Sequence, residues 1–175
     1  MSYAVISVIG RDRPGFVHEL ATMASARGLN IEDSRATSLG GEFAVMMSLS
    51  GDDDAIRQLE AALGELADSQ NLDFVLRSTE AATTPADHQL VQVTVTCMDH
   101  PGIVEAVTAF FADRSANITD LNTATHPAPH TGTPMFDLQM IVALSEQDSV
   151  ADHAQAFETF CESQDLDASW QPLAE

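Results

Sequence analysis

Residues 12–17 read Asp-Arg-Pro-Gly-Phe-Val, and residues 99–104 read Asp-His-Pro-Gly-Ile-Val. The two segments lie 87 positions apart, and the same spacing continues downstream through identical residues. The identical pairs are Arg27 with Arg114, Asn30 with Asn117, Ile31 with Ile118, and Asp33 with Asp120. Self-similarity at a constant spacing indicates a duplicated structural unit. The chain of 175 residues is therefore predicted to contain two homologous copies.

A polar stretch separates the two copies. Residues 79–88 include Thr-Thr-Pro-Ala, a composition typical of a linker. The sequence thus predicts a first domain over residues 1–78, a linker over 79–88 and a second domain over 89–175. The second copy is six residues longer between its matched strands, because Phe43 corresponds to Phe136.

The hydrophobic pattern predicts the same order of elements in each copy. Alternate apolar residues from Val91 to Cys97 are typical of a half-buried strand. The first-copy strand would run from Tyr3 to Ile9 and bury Ala4, Ile6 and Val8. A helical stripe follows each strand, and Pro14 and Pro101 are expected in its first turn. Two strands, a second helix and a last strand complete a β-α-β-β-α-β unit.

This order predicts an α+β fold. With right-handed crossovers, β-α-β-β-α-β forms a ferredoxin-like antiparallel sheet with two helices on one face. The chain would therefore contain two such units in tandem. One unit leaves its other sheet face and its edge strands open. The two units of one chain can cover each other side by side or face to face, and a homodimer is expected to complete the covering.

The repeated turn resembles that of a known family. Asp-x-Pro-Gly at the first turn of a ferredoxin-like unit, with Asn-Ile beginning 16 residues after the Pro, resembles the ACT domain, a small regulatory module that binds amino acids. Two ACT units in one chain resemble the glycine cleavage system transcriptional repressor family. The Pro- and Gly-rich hairpin at residues 126–136 is similar to the extended hairpin of that family. The resemblance implies sensing of a small amino acid such as glycine, and control of transcription through a DNA-binding activator as protein partner.

Two matched sets of residues are candidates for the amino-acid site. In ACT domains the ligand lies between the repeated turn and the start of the Asn-bearing strand, often across a domain interface. The resemblance implies one set at Asp12, Arg13, Gly15 and Asn30, and another at Asp99, His100, Gly102 and Asn117. A helix N-terminus favours a carboxylate, glycine allows close approach to the backbone, and the Asn amide both donates and accepts. Asp12 and Asp99 stand where the family's binders often carry Asn, and a carboxylate there pairs with an ammonium but repels a carboxylate.

Structural roles for the same residues remain open at this point. Pro-Gly can shape a strand-to-helix turn, an Asp near a helix start is stabilising without a ligand, and Asn can close a turn. His126 and His130 flank the hairpin, but two histidines without a third ligand are poor evidence for a metal. Cys97, on an apolar strand face, and Cys161, on a helical stripe, are both expected in the core.

No catalytic arrangement stands out in the sequence. It contains no phosphate-binding loop and no nucleophile beside a base, so neither an enzyme activity nor a cofactor is predicted. The alternative to a transcriptional regulator is a regulatory subunit that gives amino-acid feedback control to a separate metabolic enzyme.

The composition of the chain argues against some classes of partner and indicates the cellular compartment. The chain has 27 acidic residues, seven arginines and no lysine, with a formal net charge of −20. DNA binding depends on Lys and Arg neutralising phosphates, so direct contact with nucleic acid or with an anionic membrane is not expected. The two cysteines do not form a disulfide framework, which predicts a reducing cytoplasm. The sequence has no apolar run of about 18 residues that could span a membrane, and its start lacks the basic residues of a secretory signal.

Overall fold

Each repeat forms its own four-stranded antiparallel sheet. The structure is a computed structural model that describes residues 1–81 and 88–173. The chain divides into two units, Met1–Thr83 and Thr84–Glu175. The interior of the predicted linker, residues 82–87, lies outside the described residues.

The two units have the same topology. The elements of the first unit are β1 (Ser2–Arg11), α1 (Phe16–Ser25), β2 (Asn30–Leu39), β3 (Glu42–Gly51), α2 (Asp53–Gln70) and β4 (Asp73–Thr79). Those of the second unit are β5 (His88–Met98), α3 (Ile103–Ala112), β6 (Asn117–Pro127), β7 (Pro134–Ser145), α4 (Val150–Ser163) and β8 (Asp167–Pro172). The sheet orders are β2-β3-β1-β4 and β6-β7-β5-β8, and every neighbouring pair is antiparallel. The predicted ferredoxin-like fold is confirmed in both copies.

The helices of each unit cover one face of its sheet. Ala4, Ile6 and Val8 are buried, which confirms the predicted inner face of β1. The core of the second unit contains a cluster of aromatic rings on α3, α4 and β8, where Phe110 and Phe157 lie 5.1 Å apart between ring centroids. Aromatic pairs at this separation add stability beyond the area that they bury.

Both cysteines are core residues, as predicted. Cys97 is 7% exposed on β5 and Cys161 is 3% exposed on α4. Burial raises the pKa of both thiols, to about 11 for Cys161. The two side chains therefore behave as small apolar groups in the neutral thiol form.

The first helix of each unit begins later than the sequence suggested. The prolines were expected in the first helical turn, but α1 begins at Phe16 and α3 at Ile103, so Pro14 and Pro101 lie in the preceding turn. The reason is the intervening glycine, whose positive φ interrupts the helical conformation. Gly15 has φ +85° and Gly102 has φ +99°. No helix in the described ranges is long and apolar enough to cross a membrane.

Candidate ligand-binding site

The repeated turns present two uncapped helix N-termini. Gly15 and Gly102 are the N-cap residues of α1 and α3, and neither helix has a side-chain cap. A Cβ built on either glycine would meet nothing within 4 Å. The first helical turns therefore have no side-chain cap at the N-cap residue, and there is space on the Cβ side of each glycine, an arrangement that favours an anionic group.

Each turn is tied to the hairpin between the second and third strands of its unit. In the first unit the Asp12 amide donates to the Gly41 carbonyl over 3.3 Å. The Asp12 carboxylate accepts a hydrogen bond of 2.8 Å from the Ser38 hydroxyl. In the second unit the Asp99 amide donates to the Pro134 carbonyl over 2.9 Å. The Asp12 side chain therefore helps to hold its turn without a ligand, whereas Asp99 holds its turn through the backbone amide.

Arg13 is engaged within its own unit. Its Nη2 donates to the Glu19 carboxylate and to Gln70 Oε1, and its guanidinium lies 5.0 Å from the centroid of the Phe16 ring. Gln70 Nε2 also donates to Glu19 Oε1 over 3.1 Å. The hydrogen bond from Arg13 lowers the pKa of Glu19. We call Arg13, Glu19 and Gln70 the arginine clamp, because it joins the turn to the C-terminal end of α2.

The second unit lacks this clamp. His100 stands in place of Arg13, and its ring Nδ1 lies 3.1 Å from the Pro101 carbonyl oxygen. Ala106 occupies the position that corresponds to Glu19. The two candidate sites are therefore not equivalent.

The two asparagines lie at the far end of their sheets from the turns. Asn30 pairs with Ser50, and Ser50 pairs with Tyr3 at the start of β1, whereas Asp12 follows the end of β1. Nine residues of strand separate these levels, which is about 30 Å along the sheet at 3.2–3.4 Å per residue. The second unit repeats the arrangement, because Asn117 pairs with Ala143 at the level of Leu90. One unit therefore cannot bring its own turn and its own Asn to the same small ligand.

Asn30 belongs to a small polar cluster that the sequence analysis missed. Its Nδ2 donates to Glu32 Oε1 over 3.0 Å, and the buried Ser50 hydroxyl donates to the same oxygen. These hydrogen bonds, that from Ser50 first, lower the pKa of Glu32. Glu32 is the extra residue of a β-bulge between Ile31 and Asp33.

The bulge recurs in the second unit at the corresponding residue. There the register shifts between Ile118 and Asp120, and the extra residue is Thr119, which donates to the Ile141 carbonyl over 3.2 Å. The matched Asn-Ile and Asp pairs at the 87-residue spacing were the available signal for this feature, since they flank the bulge in both copies.

One hairpin histidine, His126, lies beside an acid. His126 Nδ1 lies 3.3 Å from Asp137 Oδ2, and the other carboxylate oxygen accepts a hydrogen bond of 2.7 Å from Thr96. Among residues 1–81 and 88–173, no three His, Cys, Asp or Glu side chains are grouped so that they could hold a metal ion.

Comparisons with known proteins extend over the whole tandem. The model of the ACT domain family matches residues 2–77. The glycine cleavage system transcriptional repressor of Escherichia coli strain K12 is 35% identical over 159 residues, which cover 91% of this chain and 84% of that protein. The crystal structure of an unknown protein from Galdieria sulphuraria has a TM-score of 0.85 at 31% identity and covers 99% of both chains. A crystal structure provisionally named as a glycine cleavage system transcriptional repressor has a TM-score of 0.74 at 25% identity, over 99% of this chain and 98% of that chain. The tandem ACT fold predicted from the repeated turn is thereby confirmed.

Proposed function

The chain belongs to the family of glycine cleavage system transcriptional repressors, and from this membership we propose that it is a non-enzymatic sensor of a small amino acid that controls transcription through a protein partner. The single observation that carries the proposal is the identity of 35% to the Escherichia coli repressor across nearly the whole chain. Family membership favours a transcriptional target over the feedback-controlled enzyme that the fold alone leaves open. The protein would act in the cytoplasm.

The geometry of the repeated turns supports recognition of a zwitterion. The uncapped N-termini of α1 and α3 suit the ligand carboxylate, and the glycines leave room beside the backbone. Asp12 and Asp99 stand beside these turns and would pair with the ligand ammonium. Glycine, which has no side chain to accommodate, is the smallest ligand of this class.

The distance between turn and asparagine leads us to propose that a second protomer completes the site. β2 is an edge strand that pairs on one side with β3. Antiparallel pairing of two β2 edges would place the start of one strand, with its Asn30, beside the end of the other. A homodimer formed in this way would combine the turn of one protomer with the Asn of its partner, which a single unit cannot do.

The charge of the chain supports a protein partner in preference to DNA. The net charge of −20 would oppose approach to a phosphate backbone. A ligand controls such a partner only if it binds one conformation or assembly more tightly than another. A ligand shared between protomers would meet this condition, because its binding and the pairing of the protomers would be coupled.

The test begins with thermal melting of the protein in the presence of each of the twenty amino acids. A ligand at 100 times its Kd stabilises the native state by about 2.7 kcal/mol. Calorimetry with the amino acid that raises the melting temperature then compares Asn30→Ala and Asn117→Ala with the native chain. Loss of a hydrogen bond to a charged group costs about 1.5–3 kcal/mol, which is roughly a ten- to hundredfold loss of affinity.

Asn122→Ala is the matched control. Asn122 lies on β6 and its Nδ2 donates to Asp120 over 2.6 Å, away from the strand start. The control should keep native affinity. The proposal fails if no amino acid raises the melting temperature. The assignment of the asparagines fails if the double variant Asn30→Ala/Asn117→Ala binds as tightly as the control.

A further inference from the structure

The second unit has a cleft that shares only His100 with the candidate amino-acid site of the second turn. It measures about 500 Å³ and lies between the end of β5, the start of β7 and the turn from α4 to β8. We call it the α4–β8 cleft. Its polar lining comes from His100, Glu162, Gln164, Asp165 and Asp167. Its apolar lining comes from Cys97, Met98, Met135 and Leu166.

The corresponding place in the first unit is spanned by the arginine clamp. Gln164 corresponds to Gln70 and His100 to Arg13 in the alignment of the two copies. The adjoining turns also have the same backbone form, because Asn71 and Asp165 have φ of +54° and +59°. In the first unit the guanidinium of Arg13 therefore lies at the position that corresponds to the cleft of the second unit.

Two of the substitutions between the copies remove the clamp. Histidine is shorter than arginine, and Ala106 removes the carboxylate that Glu19 supplies to the clamp. The glutamine that receives the guanidinium is retained as Gln164. The second unit therefore keeps an acceptor for a guanidinium but has lost the side chain that carries one.

The charges around the cleft also favour a cation. Glu162 and Asp167 correspond to Asp68 and Asp73, so both units carry acids at these positions. Asp165 replaces Asn71 and adds a third carboxylate on the cleft side. Six of the seven arginines belong to the first copy, and Arg114 is the single arginine of the second. The acids of the cleft thus have fewer positive charges to balance them.

We propose that the α4–β8 cleft binds a small molecule that carries a guanidinium group on a short aliphatic stem. The guanidinium takes the place that Arg13 has in the first unit and donates to Gln164 and to the carboxylate of Asp165. A planar guanidinium donates in a fork that matches these acceptors. The stem lies against Met98 and Met135. The site shares His100 with the candidate amino-acid site but needs neither Asn30 nor Asn117, so the test with a guanidinium compound is separate from the test of amino-acid sensing.

The probe is n-propylguanidinium, which is the arginine side chain without its backbone. Calorimetry on the full chain should show binding of n-propylguanidinium, and n-propylurea, its neutral analogue of the same shape, should not bind. Asp165→Asn should weaken binding roughly tenfold or more, because one charged hydrogen bond is lost. The variant should fold, since Asn71 adopts the same backbone conformation in the first unit.

Two further variants keep the test sharp. His100→Arg rebuilds the arginine of the clamp and should abolish binding of the probe while raising the melting temperature. Glu146→Gln removes one charge at the opposite end of the second unit, after β7, and should bind as the native chain does. Equal affinity for n-propylguanidinium and n-propylurea, equal weakening by Glu146→Gln and Asp165→Asn, or no binding by the native chain would each overturn the proposal.

Discussion

Gly15→Ala isolates the energetic cost of placing an L-residue in the left-handed conformation at the candidate site. Gly15 has φ +85° and ψ 0°, and an added Cβ would meet no atom within 4 Å. The substitution therefore changes the backbone preference and creates no clash. An L-residue in the left-handed region costs roughly 1–2 kcal/mol, and the reduced freedom of the unfolded chain returns about 0.4–1 kcal/mol. We expect the free energy of unfolding to fall by about 1 kcal/mol.

Gly64→Ala is the matched control in the same unit. Gly64 lies within α2, where its Cβ would also meet nothing within 4 Å. Alanine in a helix interior is favoured over glycine by about 0.5–1 kcal/mol. The same chemical change should therefore stabilise the unit at residue 64 and destabilise it at residue 15. Gly15→Asn should be milder than Gly15→Ala, because Asn tolerates the left-handed region.

Urea unfolding followed by far-ultraviolet circular dichroism measures these differences. The free energy of unfolding at zero urea should be highest for Gly64→Ala. It should then decrease from the native chain to Gly15→Asn and be lowest for Gly15→Ala. If Gly15→Ala is as stable as the native chain, the positive φ is not a constraint, and the turn can adopt an ordinary conformation. Glycine would then be needed there only for the approach of a ligand.

Two other predictions concern the charge and the thiols. The melting temperature should rise between 0.1 and 1 M sodium chloride, because the Debye length falls from roughly 10 Å to 3 Å and the repulsion among 27 acidic residues is screened; a flat or falling melting temperature would contradict this. Cys97 and Cys161 should react with iodoacetamide at pH 8 far more slowly in the native chain than in urea, since burial raises both pKa values. The folded thiols keep their protons to higher pH, so their contribution to stability is complete below the unfolded pKa and is lost as the pH rises towards the folded pKa, which is about 11 for Cys161. Equal alkylation rates in the native and unfolded chains would show that the two thiols are accessible.

The fold could be predicted from the sequence because its signals are local. Strand alternation and helical stripes each depend on a few neighbouring residues, and the 87-residue spacing allowed one copy to support the interpretation of the other. The predicted starts of α1 and α3 were too early, because Pro14 and Pro101 were expected in the first helical turn. The helix starts are set by the positive φ of Gly15 and Gly102. Glycine permits this conformation but does not require it, so the sequence alone could not predict it.

The site was less predictable because its contacts are distant in sequence. Asp12 and Asn30 are only 18 positions apart, yet α1 carries the chain to the other end of the sheet between them. Arg13 and Gln70 are 57 positions apart and touch. The clamp forms because α2 packs beside the first turn. No periodic pattern in the sequence predicts this contact.

The aromatic cluster of the second unit has a practical consequence for following the two halves of the chain. The single tryptophan, Trp170, stacks on Phe111 with a centroid distance of 6.2 Å, and the single tyrosine, Tyr3, lies on β1 of the first unit. Each half thus carries its own natural fluorophore. Fluorescence from the indole of Trp170, excited selectively, follows changes in the surroundings of β8. Fluorescence from the phenol of Tyr3 follows changes around β1. The unfolding of one half can be separated from that of the other in the native sequence, without an attached dye.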